Sequence, residues 1–128
     1  MPVPAQLKSL FWWLPFGRVP EISPFELSER LQAERPPQIV DVRSRAEWRR
    51  SHIAGAVNVP IQELRRRLPA LQLDSERPVV AICLSAHRSI PAVRLLQARG
   101  FERAAQLQGG MLAWWREEFP AERDSGSA

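Results

Sequence analysis

Cys83 is the only cysteine among the 128 residues of the chain, and its neighbours suit a reactive thiol. The apolar run Val79-Val80-Ala81-Ile82 leads into it, and Leu84-Ser85-Ala86-His87-Arg88-Ser89 follows. A strand ending in a cysteine, a short polar turn and a new helix set one sulfur among backbone N–H groups, which favour its anionic form. A free cysteine titrates at about 8.5, and a helix N-terminus, nearby cations and a ring of N–H donors can bring such a group below neutrality. Arg88 and His87 offer charge here, and Ser85 and Ser89 offer hydroxyl donors. A loop whose successive N–H groups point inward binds an anion, whether a thiolate, a persulfide or an attached oxyanion. The competing reading is an inert, buried cysteine closing a strand, the commoner fate of a lone cysteine. A zinc site does not compete, because one cysteine and the distant His52 and His87 lack ligand spacing.

The elements that must position this loop alternate between strand and helix. Ser23-Pro24-Phe25-Glu26 has the form of a capping box with proline at the first helical position, and Leu27 and Leu31 recur at helical spacing before Pro36-Pro37. A helix is therefore expected from Pro24 to Glu34. Gln38 to Val42 reads as a buried strand, Arg45 to Arg50 as one or two helical turns, and Ala56 to Val59 as a second short strand closed by Pro60. Ile61 to Leu68 carries a brief helical pattern, and Asp74 to Pro78 turns into the strand that ends at Cys83. Beyond the loop, Ile90, Val93 and Leu96 at spacing three, Pro91 near the start and Gly100 past the end describe a helix. A strand at Ala104 to Leu107 and a helix from Gly110 to Phe119 complete the pattern. Short apolar strands separated by helices imply an α/β domain with a mainly parallel sheet covered on both faces and function at the carboxyl ends of the strands.

Composition bounds the rest. The length fits one domain, large enough to bury a core without disulfides or a structural metal. An unpaired thiol fits a reducing, cytoplasmic setting. The net charge of +4 comes from 18 basic residues interspersed with 14 acidic ones. Its densest clusters, Arg65-Arg66-Arg67 and Arg43, Arg45, Arg49 and Arg50, are short, so a solvated charged face is favoured over a nucleic-acid partner. Residues 1–20 form a distinct aromatic arm. Within residues 7–16, Leu7, Leu10, Phe11, Trp12, Trp13, Leu14 and Phe16 are too few and too interrupted by Pro15 for a membrane span. Only Lys8 precedes the aromatic cluster and no small-residue cleavage site follows it, which argues against a signal peptide. The arm then either lies in a membrane interface, giving peripheral contact, or packs on the domain or a partner chain. Residues 120–128 read as a flexible tail, leaving 21–119 as the folded domain.

Four stretches in order resemble the rhodanese family: Asp41-Val42-Arg43, Glu47 through His52-Ile53-Ala54-Gly55-Ala56 with Asn58 and Pro60, the loop Cys83 to Ser89, and Gly109-Gly110-Met111-Leu112-Ala113-Trp114. The resemblance covers Glu21 to Phe119 and rests on order and spacing together. It implies a three-layer α/β domain with a central five-stranded, mainly parallel sheet. It also implies a thiosulfate sulfurtransferase-like enzyme whose cysteine takes a sulfane sulfur from a small anionic donor such as thiosulfate and passes it to a thiophilic acceptor such as cyanide or a thiol, a protein thiol included. Carried over by position, Cys83 is the nucleophile and persulfide carrier, Leu84, Ser85, Ala86, His87, Arg88 and Ser89 bind the substrate, and no metal or cofactor is involved.

The chain departs from the family pattern at Ala86 and Ser51, where glycine is usual. A positive φ at Ala86 would cost on the order of 1 kcal/mol and reshape the loop slightly, whereas Ser51 lies away from the nucleophile and little effect is expected of it. Cysteine phosphatases similar in fold to rhodaneses place five residues between cysteine and arginine. This chain has four, Leu84 to His87, a tighter cradle matched to sulfur rather than phosphate or arsenate. Asp41 and Arg43 are supporting candidates, although a carboxylate at a strand end more often holds a loop. Arg88 either attracts anions or makes a loop-holding ion pair. His52 suits a structural hydrogen bond, and Trp114 and Trp115 suit the core and rim of the last helix. The alternative to an enzyme is a non-enzymatic carrier or sensor of sulfane sulfur, or a protein-interaction module, tethered by its aromatic arm.

Overall fold

In the computed structural model, residues 17–124 are described; the arm segment 7–16 and the last four residues lie outside them. Five strands form one sheet: β1 Glu21–Ile22, β2 Gln38–Asp41, β3 Val57–Asn58, β4 Val79–Ile82 and β5 Ala104–Leu107. Their order is β1-β5-β4-β2-β3, and every neighbouring pair is parallel. The helices among the described residues are α1 Pro24–Leu31, α2 Arg45–Arg50, α3 Ile61–Arg67, α4 Ser89–Ala98 and α5 Gly110–Arg116, with a 3₁₀ turn at Leu68–Leu71.

Side-chain alternation along the strands divides the core in two. Val79 and Ala81 of β4, continued by Cys83, face Leu64 of α3 and Ala92, Val93 and Leu96 of α4. Val80 and Ile82 face Leu27 of α1 and Met111 and Trp114 of α5. Strand β4 is buried at all four positions, as a central parallel strand covered on both faces must be. Strands β2 and β4 run side by side in register, with Asp41 opposite Ile82. The turns that follow both strands therefore emerge together at one edge.

The differences from expectation have local causes. Helix α1 stops at Leu31 rather than Glu34 because Gln32 N–H donates to Glu29 O and Ala33 N–H to Arg30 O, a tightening that ends the α-helix before Pro36 demands extended backbone of its predecessor. Ser23 caps the helix through its Oγ. The complete capping box is instead at α2, where Ser44 and Glu47 exchange both bonds. Helix α5 ends at Arg116 rather than Phe119, because Glu118 takes a left-handed φ of 58° and Phe119 N–H reaches back to Trp114 O, closing the helix as a glycine normally would. Strand β1 has no counterpart in the sequence reading: two residues carry no periodicity, and they pair with β5 through Gln106 N–H to Pro20 O and Gln108 N–H to Ile22 O.

The tail expected at 120–128 is fastened at its start. Glu122 exchanges two backbone bonds with His52, Asp124 N–H donates to Arg49 O, and Trp114 Nε1 donates to Pro120 O. Among the described residues, no helix is long and apolar enough to cross a membrane.

Candidate active site

Cys83 follows the last residue of β4 and is 1% exposed, at the floor of a loop that leads into α4. The loop's orientation is set by α5. Met111 N–H donates to Cys83 O at 2.9 Å and Leu112 N–H to Leu84 O at 3.0 Å, so the first turn of α5 finds its acceptors in the cysteine loop. Such close approach needs Gly110, where a Cβ would lie 2.5 Å from both carbonyl oxygens. In a planar trans peptide the N–H opposes the C=O, so the N–H groups of Leu84 and Ser85 point away from α5. None of the N–H groups from Leu84 to Arg88 donates to a carbonyl or side-chain oxygen among the described residues. These successive unspent donors lie between a buried sulfur and a helix N-terminus, an arrangement suited to negative charge.

Three groups shape the loop. Ala86 has φ 145°, which meets the condition under which a non-glycine at this position is strained. Its carbonyl accepts from Ser89 Oγ at 3.0 Å. Arg88 makes two bonds to Glu47, Nη1 to Oε1 at 2.7 Å and Nη2 to Oε2 at 3.0 Å, pinning the loop to α2. That bond from Arg88 is the main reason the Glu47 carboxyl is lowered to about 2, with Ser44 also contributing; the Arg88 guanidinium is correspondingly raised, chiefly by Glu47. Arg88 therefore makes the loop-holding ion pair. Ser85 Oγ lies 3.3 Å from Nδ1 of the exposed His87.

Ser89 is fully buried and stands beside the sulfur. The Cys83 thiol donates to its Oγ at 3.4 Å, and Ser89 Oγ donates to Gln106 Oε1 at 2.6 Å. Gln106 Nε2 in turn donates to Glu21 Oε2 at 2.9 Å.

The two supporting candidates make their side-chain bonds to each other rather than to the loop. Asp41 and Arg43 are 0% and 1% exposed and spend themselves on each other: Arg43 Nη2 meets Asp41 Oδ2 at 2.8 Å, Nε meets Oδ1 at 3.0 Å, and Arg43 N–H donates to Oδ1 at 3.1 Å. Arg43 also donates to Ser51 O at 2.6 Å. Ser51 does more than its distance from the nucleophile suggested, because its Oγ accepts from Trp115 Nε1 at 2.9 Å. His52 Nδ1 lies 2.6 Å from Trp48 O with its ring stacked on Trp48, a structural placement. Trp114 is buried in the core and Trp115 sits at its rim. Sequence reasoning assigned no role to Glu47, Gln106 or Glu21. The spacing of Ser44 and Glu47 was a capping-box signal for the first; nothing local marks the other two, which meet only through strand pairing.

The chain matches the rhodanese-like domain model over residues 23–117. A sulfurtransferase of Allochromatium vinosum is 33% identical over 102 residues, covering 80% of this chain and 94% of that protein. A Bacillus subtilis protein named as a sulfur carrier, YrkF, is 31% identical over 96 residues, covering 75% of this chain and 51% of its own length. The solved thiosulfate sulfurtransferase of Pseudomonas aeruginosa superposes with a TM-score of 0.74 at 25% identity, over 92% of this chain and 23% of that one. The chain thus spans about half the length, or less, of several curated relatives.

Proposed function

The chain belongs to the rhodanese-like domain family, and from that premise we propose that it is a sulfurtransferase working through a persulfide on Cys83. Relatives named as sulfurtransferase and sulfur carrier support a sulfur-transfer role. The observation that carries the mechanism is the run of unspent N–H groups from Leu84 to Arg88 around a strand-end sulfur. The Cys83 thiolate attacks the outer sulfur of thiosulfate, the new S–S bond forms, and sulfite leaves with the electron pair of the broken bond. The outer sulfur of the resulting Cys83 persulfide carries the negative charge, which the N–H groups solvate at no cost in reorganisation. A thiophilic acceptor, cyanide or a thiolate, then attacks that outer sulfur and returns Cys83 as thiolate. This is a ping-pong cycle with a covalent intermediate, and it calls on no metal or cofactor. The lone thiol suits a reducing compartment such as the cytoplasm.

The test is thiocyanate formation from thiosulfate and cyanide, with mass spectrometry for one added sulfur on Cys83 after thiosulfate alone. Wild type should turn over and gain the sulfur, and Cys83→Ser should do neither. Activity indifferent to that substitution would sink the mechanism. The relative named as a sulfur carrier supports a second reading, in which the domain stores the persulfide for a protein partner. A stable added sulfur without thiocyanate formation selects it.

A further inference from the structure

Two acceptors and one sulfur compete for the single hydroxyl hydrogen of Ser89. Gln106 Oε1 is at 2.6 Å, Ala86 O at 3.0 Å and Cys83 Sγ at 3.4 Å. While Cys83 is a thiol there is no conflict, since the thiol donates to Ser89 Oγ and the hydroxyl donates onward to Gln106. When the sulfur ionises, its proton leaves to water and the hydroxyl hydrogen has to turn from Gln106 to the sulfur to stabilise the anion. Gln106 Oε1, on a residue only 4% exposed, is then stripped of its donor, which is costly in a buried site.

The amide cannot escape this by turning over. Its Nε2 faces the Glu21 carboxylate at 2.9 Å, and an ionised carboxylate only accepts. Inverting the amide would offer Nε2–H to Ser89 Oγ and free the hydroxyl for the sulfur, but it would also press Oε1 against Glu21. The orientation is built into the fold, because Glu21 and Gln106 are register partners on β1 and β5 and so project to the same face of the sheet.

We propose that Gln106 is a positioning residue for the Cys83 sulfur, and that the exposed Glu21 carboxylate, acting through it, holds the Ser89 hydroxyl turned away from that sulfur in the resting protein. Neutralising Glu21 releases the amide, and the hydroxyl becomes available to the thiolate. The interest of this coupling rests on the reading of Cys83 as the reacting sulfur, but the coupling itself needs no sulfur donor. The other charges near Cys83 are Arg88, held by Glu47, and the mutually paired Asp41 and Arg43; His87 is exposed on the loop. The first turns of α4 and α5 carry no acidic side chain. All these groups stay in place in the variants below and cancel from the comparison.

The experiment is the pH dependence of Cys83 alkylation by iodoacetamide in the full chain, with folding checked by circular dichroism. Glu21→Gln, an isosteric change at an exposed position, is expected to lower the pH midpoint by about one unit, the effect of one hydrogen bond to an ionised sulfur. The same change in a Gln106→Leu background, or in Gln106→Met should leucine unfold the protein, is expected to leave the midpoint where that background puts it. No shift on Glu21→Gln overturns the proposal. So does an equal shift with and without Gln106, which would make Glu21 a distant charge and nothing more. Because alkylation is read without thiosulfate, a failure here leaves the sulfurtransferase reading standing, and a failed thiocyanate assay leaves this coupling measurable.

Discussion

Strands β2 and β4 lie side by side and end at the same edge of the sheet, yet the turns beyond them have opposite characters. The turn after β2 is closed. Asp41 and Arg43 are buried and saturate each other with paired bonds, Ser51 O takes another Arg43 N–H, and Asn58 Nδ2 binds both Asp41 O and Arg43 O. The turn after β4 is open: among the described residues its N–H groups from Leu84 to Arg88 meet no acceptor, and its backbone passes through φ 145° at Ala86. Both turns carry charged and polar residues, so charge alone does not tell site from scaffold. What separates them is spare hydrogen-bonding capacity, present in the turn after β4 and used up in the turn after β2.

The sharpest way to break this contrast is to remove Arg43. Arg43→Ala leaves the Asp41 carboxylate buried without its partner, and the expected cost is about 3–5 kcal/mol in urea unfolding. Asp41→Asn combined with Arg43→Met removes both charges together and should recover most of that loss, since a buried pair is worth little more than well-packed uncharged side chains. Sulfur transfer per folded molecule should be retained in both. If Arg43→Ala instead kept its stability and lost transfer, the closed turn would belong to the chemistry and the contrast would fail.

The same contrast explains what could be read in the sequence. The candidate loop was legible because it is local, with strand, cysteine, polar turn and helix start all within Val79 to Pro91, whereas the sulfur chemistry expected of it came from the resemblance of four separate stretches to the rhodanese family. The β5 bounds, Ala104–Leu107, and those of the short helix Arg45–Arg50 follow from local pattern too. Strand β1 was not legible, because its two residues acquire meaning only by pairing with β5. The Glu21, Gln106 and Ser89 chain is hidden for the same reason, being assembled from three elements. Strain at Ala86 was expected on the condition that the position needs a positive φ, a condition suggested by the family's usual glycine and met by its φ of 145°. The early end of α5 was not, since Glu118 adopts a left-handed backbone with no glycine to announce it.

A smaller effect is expected where the two regions are joined to the rest of the site. Glu47 ties the open turn to α2, and its carboxyl is lowered to about 2 mainly by Arg88. A lowered carboxyl contributes stability that is complete above its unfolded value of 4.5 and is lost as the pH falls through the folded value. Wild type should therefore lose stability between pH 4.5 and about 2 more steeply than Glu47→Gln, whose amide does not titrate there. At neutral pH the variant keeps an acceptor for Ser44 N–H and gives up the charged clamp, a cost of about 1 kcal/mol. Sulfur transfer should fall several-fold as the loop loosens. Parallel acid limbs for the two proteins would mean that the open turn is held without Glu47.

The smallest change acts on the backbone of the open turn itself. At φ 145° the Cβ of Ala86 is tolerated only because the Arg88–Glu47 clamp and the bonds from α5 hold the loop on both sides, and such conformations cost on the order of 1–3 kcal/mol outside glycine. Ala86→Gly removes that strain but gives the unfolded chain more freedom, which offsets about 0.5–1 kcal/mol. The net expectation is a gain of about 1 kcal/mol, read as a higher urea midpoint at unchanged slope. The second effect distinguishes strain from shape: a glycine that takes up the same φ leaves the N–H groups where they were, so transfer should change by less than about twofold, a fraction of a kcal/mol. Loss of stability in Ala86→Gly would mean that this backbone is not strained and that the open turn differs from the closed one in its unspent donors alone.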